Sequence, residues 1–306
     1  LEKGHLDHVV RLAIQAGVSP MTAIQMATIN SAEAYRIDHL VGAIVPGRIA
    51  DVLFVDDLTQ FRVRAVMTNG KMVAEDNKLS YALQAPKRSA ALSSPLKCKP
   101  TTKADFEYHV ALENGTADVL ALDVKGPFVR KRRDVTLTVR NHIVQPDTEQ
   151  DVVLVGVLER FGRNGNRTLA FCSGWKLKRG AMASSAAPDD NNIVVMGVDA
   201  EDMSIAVNYL IEQGGGQVVV DGGKIMEFLP LPVGGIVSDC EPEEICAAEK
   251  KIDNAVRALG SDLPDPMMYM FFLPITSIPD YAVTDAGPVD YLALRHFDPI
   301  LALHAE

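Results

Sequence analysis

Apolar positions at the start of the chain recur at helical spacing. Leu6, Val9, Val10, Ala13 and Ile14 fall at i, i+3, i+4, i+7 and i+8 and share one face of a helix. Gly17 stands where such a helix ends. Ser19 then offers an N-cap oxygen to a second helix, with Pro20 at its first position, where a missing N–H costs nothing. The stretch "PMTAIQMATINSAEAYR" reads as one continuous helix turning Ile24, Met26 and Ile29 towards a core. From Val41 the period changes from helical to alternating. "RIADVLFVD", "FRVRAVMT" and "KMVAED" read as strands, the last two joined as a hairpin by Asn69-Gly70, because both residues accept positive φ.

Residues 80–104 are rich in Ser, Ala, Pro and Lys, carry neither period and read as a linker. Strands return beyond residue 105 in "FEYHVAL", "ADVLALDV", "DVTLTVR" and "DVVLVGVLER". A β-α-β passage follows over "NNIVVMGVDAEDMSIAVNYLIEQGGGQVVVDGG", its helix capped by Asp199 with Asp202 placed close to a capping-box arrangement. A further helix, about 241–259, stops at Gly260. The pattern thus predicts closing helices over 1–40, a small β layer over 41–79, a linker over 80–104 and an α+β or mixed α/β domain over 105–306.

Composition narrows the class. With 47% hydrophobic and 23% charged residues the chain can bury a substantial core. Thirty basic against 40 acidic side chains give −10, which argues against a nucleic-acid partner. The one dense basic run, Arg130-Lys131-Arg132-Arg133, borders "DVTLTV" and reads as a solvated strand edge. The longest apolar run, "MMYMFFLPI", is closed by Pro274 and falls short of the roughly 18 residues that cross a bilayer, so it reads as a buried segment. Four cysteines without CxxC spacing fit a reducing cytoplasm.

Candidate chemistry is sparse. There is no HxH or HExxH pattern; His5 and His8, three apart, can face one way, but a catalytic metal needs a third ligand, and an exposed first helical turn accounts for them. The glycines of "QGGGQVVV" follow a helix and precede a strand, the reverse of a phosphate cradle, and read as a helix stop. In "SSAAPDDNN" the pair Asp189 and Asp190 suits acid–base or metal work, or an Asx-rich turn. The residues by themselves therefore describe a two-part protein without a visible active site.

"GHLDHVVRLAIQAGVSPMTAIQMATINSAEAYRI", "GAIVPGRIADVLFVDDL" and "VMTNGKMV" together resemble the end of an amidohydrolase-superfamily (β/α)8 barrel and its return to a small β-sandwich. "GWKLKRGAMASS", the β-α-β passage with "KIMEFLPLPVGGIVSD", and "DPMMYMFFLPITSIPDYAVTDAG" narrow the resemblance to adenine deaminases, whose C-terminal α+β domain they match. The resemblance implies a metal-dependent hydrolase converting adenine and water to hypoxanthine and ammonia, with Mn, Fe or Zn, a purine base as substrate and homo-oligomeric assembly. It also implies that the metal ligands and the catalytic Asp lie on barrel strands upstream of Leu1, so that this chain is expected to hold no catalytic residue and to need the N-terminal barrel portion as partner. Members of the family carry "ERH" where this chain has Glu159-Arg160-Phe161, and "AHDSHN" where it has residues 187–192; three family histidines thus fall on Phe161, Pro188 and Asn191, and neither Phe nor Pro can ligate a metal or pass a proton. Arg160, Ser184, Asp189 and Asn192 keep the family's residue, which implies a pocket-lining or domain-docking role, with plain turn positions as the alternative. Three readings follow: the C-terminal part of an adenine deaminase, an amidohydrolase-like protein with a different or lost substrate, and a non-catalytic structural or oligomerisation module.

Overall fold

The computed structural model describes residues 4–82, 92, 96–188 and 190–305. The chain forms two compact units, Leu1–Lys87 and Arg88–Glu306.

The first unit opens with α1 (Leu6–Gln15), α2 (Pro20–Ala27) and α3 (Ile29–Ala34). Ser19 Oγ accepts the Thr22 N–H at 3.3 Å, the cap its sequence position predicts. The expected single second helix is instead two. At Thr28 the backbone leaves the helical region (φ −127°, ψ −95°), and Thr28 Oγ1 donates to the Ile24 carbonyl at 2.6 Å. A hydroxyl that bonds back to its own helix competes with the ladder, and propensity along the stretch does not reveal it. Strands β1 (Val52–Asp57), β2 (Arg62–Thr68), β3 (Lys71–Glu75) and β4 (Lys78–Leu79) form an antiparallel meander in chain order. Asn69 (φ 49°) and Gly70 (φ 74°) make the predicted turn between β2 and β3. The core gathers Val10, Ala23 and Phe61, with Ile14, Ile24, Val55 and Val63 packed on it. Of the predicted apolar face of α1, Val10 is buried, whereas Val9 is 58% exposed.

The second unit contributes β5 (Tyr108–His109), β6 (Gly115–Gly126), β7 (Val129–Arg140), β8 (Ile143–Val144), β9 (Val152–Leu158), β10 (Arg167–Ser173), β11 (Ala181–Ser184) and β12 (Ile193–Gly197). Then come α4 (Ala200–Gln213), β13 (Gly216–Asp221), β14 (Lys224–Pro230), α5 (Pro242–Ala258) and α6 (Pro266–Phe271), and finally β15 (Tyr281–Thr284), β16 (Gly287–Asp290), β17 (Arg295–His296) and β18 (Ile300–Ala305). An 11-stranded sheet runs β14-β13-β11-β12-β9-β10-β6-β7-β8-β5, with β18 also on β6, while β15, β16 and β17 form a separate small sheet. Only β6 and β10 pair in parallel among the described residues. β11 lies antiparallel between β12 and β13, so the β12–α4–β13 passage is a crossover that skips one strand.

β9, "VVLVGVL", is buried along its whole length. Val153, Val155 and Val157 join a core with Ile252 and Val256 of α5 and Met267 and Met270 of α6. Val152, Leu154 and Leu158 join another with Met203, Val207 and Leu210 of α4. A sheet covered by helices on both faces needs apolar residues at every strand position, which is why β9 does not alternate. The architecture is mixed α/β.

Three local expectations are corrected. "FEYHVAL" is a strand only at Tyr108–His109, because Phe106 ends a short 3-10 helix, Lys103–Phe106, and is itself buried. Asp202 does not complete a capping box with Asp199; its carboxylate reaches the β13–β14 turn and accepts the N–H groups of Gly222 (3.0 Å) and Gly223 (2.7 Å). The basic run is not wholly solvated: Arg130 is 1% exposed, and its guanidinium donates to the carbonyls of Phe272, Leu273, Ile275 and Ile278 beyond the end of α6. Arg130 shares a strand face with the exposed Arg132 and is buried by the chain beyond α6 that lies over it, while Lys131 and Arg132 face water with Asp280 and Asp134 at 2.7 Å. The triple glycine does stop a helix, with Gly214 left-handed at the C-cap of α4.

Candidate functional site

Where β9 ends, three consecutive residues take different tasks. Glu159 is buried, and its carboxylate accepts the N–H groups of Phe161 (2.6 Å), Arg163 (3.0 Å), Asn164 (3.4 Å) and Gly165 (3.3 Å). The loop to β10 is wound around this side chain. Burial pushes the Glu159 carboxyl up, but the backbone donors outweigh it and hold the group below its ordinary value. Phe161 lies in the loop with the guanidinium carbons of Arg160 and Arg163 at 5.0 and 5.4 Å from its ring centroid.

Arg160 points into the domain and is 3% exposed. Its backbone N–H donates to Asn192 Oδ1 at 3.4 Å and its Nη2 to the Gly234 carbonyl at 3.0 Å. Nε and Nη1 are buried without a partner among the described residues. Asn192, at the start of β12, donates through Nδ2 to Asp190 (3.0 Å) and to Asp285 (3.2 Å). Burial, with the charge of Asp285 adding to it, raises the Asp190 carboxyl above its ordinary value. Desolvation lowers the Arg160 guanidinium, against the pull of Asp190. Arg160 is thus a buried cation with two donors that no described residue satisfies, a costly arrangement inside a fold.

Of the residues expected at the site, Arg160 and Asn192 are brought together. Ser184 is buried at the end of β11, where its Oγ accepts the Ala186 N–H (3.1 Å) and donates to the Ala186 carbonyl (3.0 Å). Asp189 lies outside the described residues. The sequence reading missed Ser185 and Asp285. Ser185 Oγ donates to the Gly235 carbonyl at 2.6 Å and accepts the Gly216 N–H at 2.8 Å, pinning the 233–237 turn that Arg160 also holds. Asp285 arrives from the β15–β16 turn, 93 positions from its Asn192 contact, and no spacing rule signals such a pair.

His5 precedes α1 and is exposed, and His8 is half-buried in its first turn. Among the described residues no three His, Cys, Asp or Glu side chains gather into a metal-holding group. The described residues therefore offer no donor set that fits a catalytic metal centre. No helix among the described residues is long and apolar enough to cross a membrane.

Comparison with known proteins assigns these elements. Residues 127–294 match the model of the adenine deaminase C-terminal domain, and residues 3–73 match the amidohydrolase family. The chain is 71% identical over 304 residues to adenine deaminase 1 of Desulfotalea psychrophila, covering 99% of this chain and 51% of that protein. It is 57% identical to adenine deaminase 1 of Latilactobacillus sakei, covering 99% and 51%, and 53% identical to adenine deaminase 4 of Rhizobium meliloti, covering 98% and 50%. The chain spans about half the length of the curated relatives it matches. It belongs to the adenine deaminase family, whose C-terminal domain it carries behind a segment of amidohydrolase type.

Proposed function

We propose that this chain is the C-terminal part of an adenine deaminase acting in the cytoplasm as a homo-oligomer. The observation that carries the reading is the 71% identity, across 99% of the chain, to a protein named adenine deaminase 1. In this reading residues 1–40 are the closing helices of an amidohydrolase barrel, 41–79 part of its small β-sandwich, and 105–306 the family's C-terminal domain. The reaction joins a water oxygen to C6 of adenine and breaks the bond to the exocyclic nitrogen, giving hypoxanthine and ammonia. The divalent metal of such hydrolases (Mn, Fe or Zn) is assigned to the half of the protein outside this chain, since the ligand set among the described residues does not fit it.

Arg160, Ser184, Asp189 and Asn192, with Asp190 and Asp285, are proposed to serve the substrate or the docking of the barrel. Ring nitrogens of a purine accept and its amino group donates, the complement of an arginine and a carboxylate; the two unpartnered nitrogens of Arg160 are enclosed and would have to be uncovered to take part. The exposed apolar side chains Leu6, Val9, Leu12 and Met26 of the first unit belong to a surface that the missing barrel would cover. The substitutions at Phe161, Pro188 and Asn191 favour a second reading, a relative with a different or lost substrate.

One assay decides between the two. The full-length protein, loaded in turn with Mn, Fe and Zn, is expected to convert adenine to hypoxanthine, while the 306-residue chain alone does not. Absence of turnover with all three metals would overturn the first reading and leave the second.

A further inference from the structure

The β9–β10 loop that Glu159 organises also walls a cavity of about 390 Å³, within the range of about 300–1,000 Å³ usual for small-ligand sites. Lys97, Lys99, Arg163 and Arg167 line it together with Asn164 and Asn166. Glu159 is the one acidic residue of that lining, and its oxygens are already occupied by the loop's N–H groups. In a chain of formal charge −10 this concentration of cations runs against the whole.

Some other basic residues of the same unit carry an acidic partner, while others, such as Arg140 and Lys224, have none among the described residues. Lys125 pairs with Asp123 (2.7 Å), Lys131 with Asp280 (2.7 Å), Lys176 with Asp262 (2.5 Å) and Arg179 with Asp221 (2.8 Å). In the cavity Arg167 is paired with Asp105, whereas Lys97, Lys99 and Arg163 have no acidic partner among the described residues. One contact ties the backbone of this segment and one steadies a side chain. The Lys97 N–H donates to the Arg160 carbonyl at 2.7 Å, tying the 97–99 segment to the start of the loop, and Arg163 rests against the Phe161 ring. Like charges fixed around one concavity repel, and an anion at its centre converts that repulsion into attraction. A guanidinium and two ammonium groups with neutral amide donors between them match the oxygens of a phosphate better than those of a single carboxylate.

We propose that this cavity is an anion site taking a small phosphate-bearing molecule, with Arg163, Lys97 and Lys99 carrying the charge and Asn164 and Asn166 as neutral donors. Neither Arg160 nor Asn192 lines this cavity, and the site does not depend on the deaminase reading.

Titration calorimetry of the 306-residue chain with pyrophosphate at low ionic strength tests it. Saturable one-site binding is expected, weakened about tenfold or more in each of Arg163→Glu and Lys97→Glu and unchanged in Lys125→Glu, with all variants melting as the parent does. Citrate, an anion of comparable charge without phosphorus, is expected to bind more weakly. No saturable heat with pyrophosphate, or pocket variants that bind as tightly as the parent, would overturn the site; citrate binding as tight as pyrophosphate would overturn its phosphate preference.

Discussion

At the scale of single residues, Glu159 shows how a charge shapes a loop. Several backbone donors converge on one carboxylate that burial alone would push towards neutrality, and the donors prevail. A carboxyl held below its ordinary pKa stabilises the fold fully above the unfolded value, about 4.3 for Glu, and loses that contribution as pH falls through the lower folded value. Glu159→Gln should therefore lower stability near neutrality by about 1–3 kcal/mol, because the amide keeps only one acceptor for N–H groups that now face two. The deficit should shrink below about pH 4, where the parent protonates as well. Urea unfolding midpoints across that range check this; a deficit that stays constant with pH would show that the charge is not what the loop binds. The same few residues mark the limit of reading a site from sequence. Arg160 and Asn192 were legible through the family pattern, but the unpaired nitrogens of Arg160 and the approach of Asp285 depend on which strands lie side by side.

At the scale of elements, what was legible was local. Asn69-Gly70 specifies its hairpin through two backbone preferences, Ser19-Pro20 starts α2, Asp199 starts α4, and Gly214 ends it, each signal lying next to the feature it sets. The parallel pairing of β6 with β10 and the crossover over β11 join segments far apart in the chain, and no period encodes them. Arg130 is the clearest case. Sitting in a basic run, it looked like surface, and strand alternation puts it on the exposed face with Arg132; what buries it is the chain that follows α6, whose carbonyls have no helical partner and take the guanidinium instead. Desolvation lowers its pKa to about 10, still high enough to keep the charge at neutrality. Arg130→Met should fill the space yet strand those carbonyls, costing about 2–4 kcal/mol, and Arg130→Lys should recover only part, since one ammonium does not span the fork. Denaturant midpoints of the two variants beside Arg132→Met, which is exposed and should cost little, separate this role from general charge loss.

At the scale of the molecule, the two units differ in how much apolar surface they enclose. The first closes a small core on Val10, Ala23 and Phe61; the second builds two cores, one on each face of an 11-stranded sheet, with helices over both. Cores that share no side chain have no built-in reason to melt together, and chains of several units commonly depart from two-state behaviour. Differential scanning calorimetry should resolve two transitions, the earlier belonging to the unit with the smaller core. Phe61→Ala removes a buried ring and should move the earlier transition down by about 10 °C or more, or abolish it, while leaving the later one in place. Leu122→Ala opens a cavity in the second unit and should lower the later transition by about 5–20 °C without touching the first. A single transition that both substitutions displace would mean that the units fold as one. Their stability would then reside in a shared surface, and not in the separate cores described above.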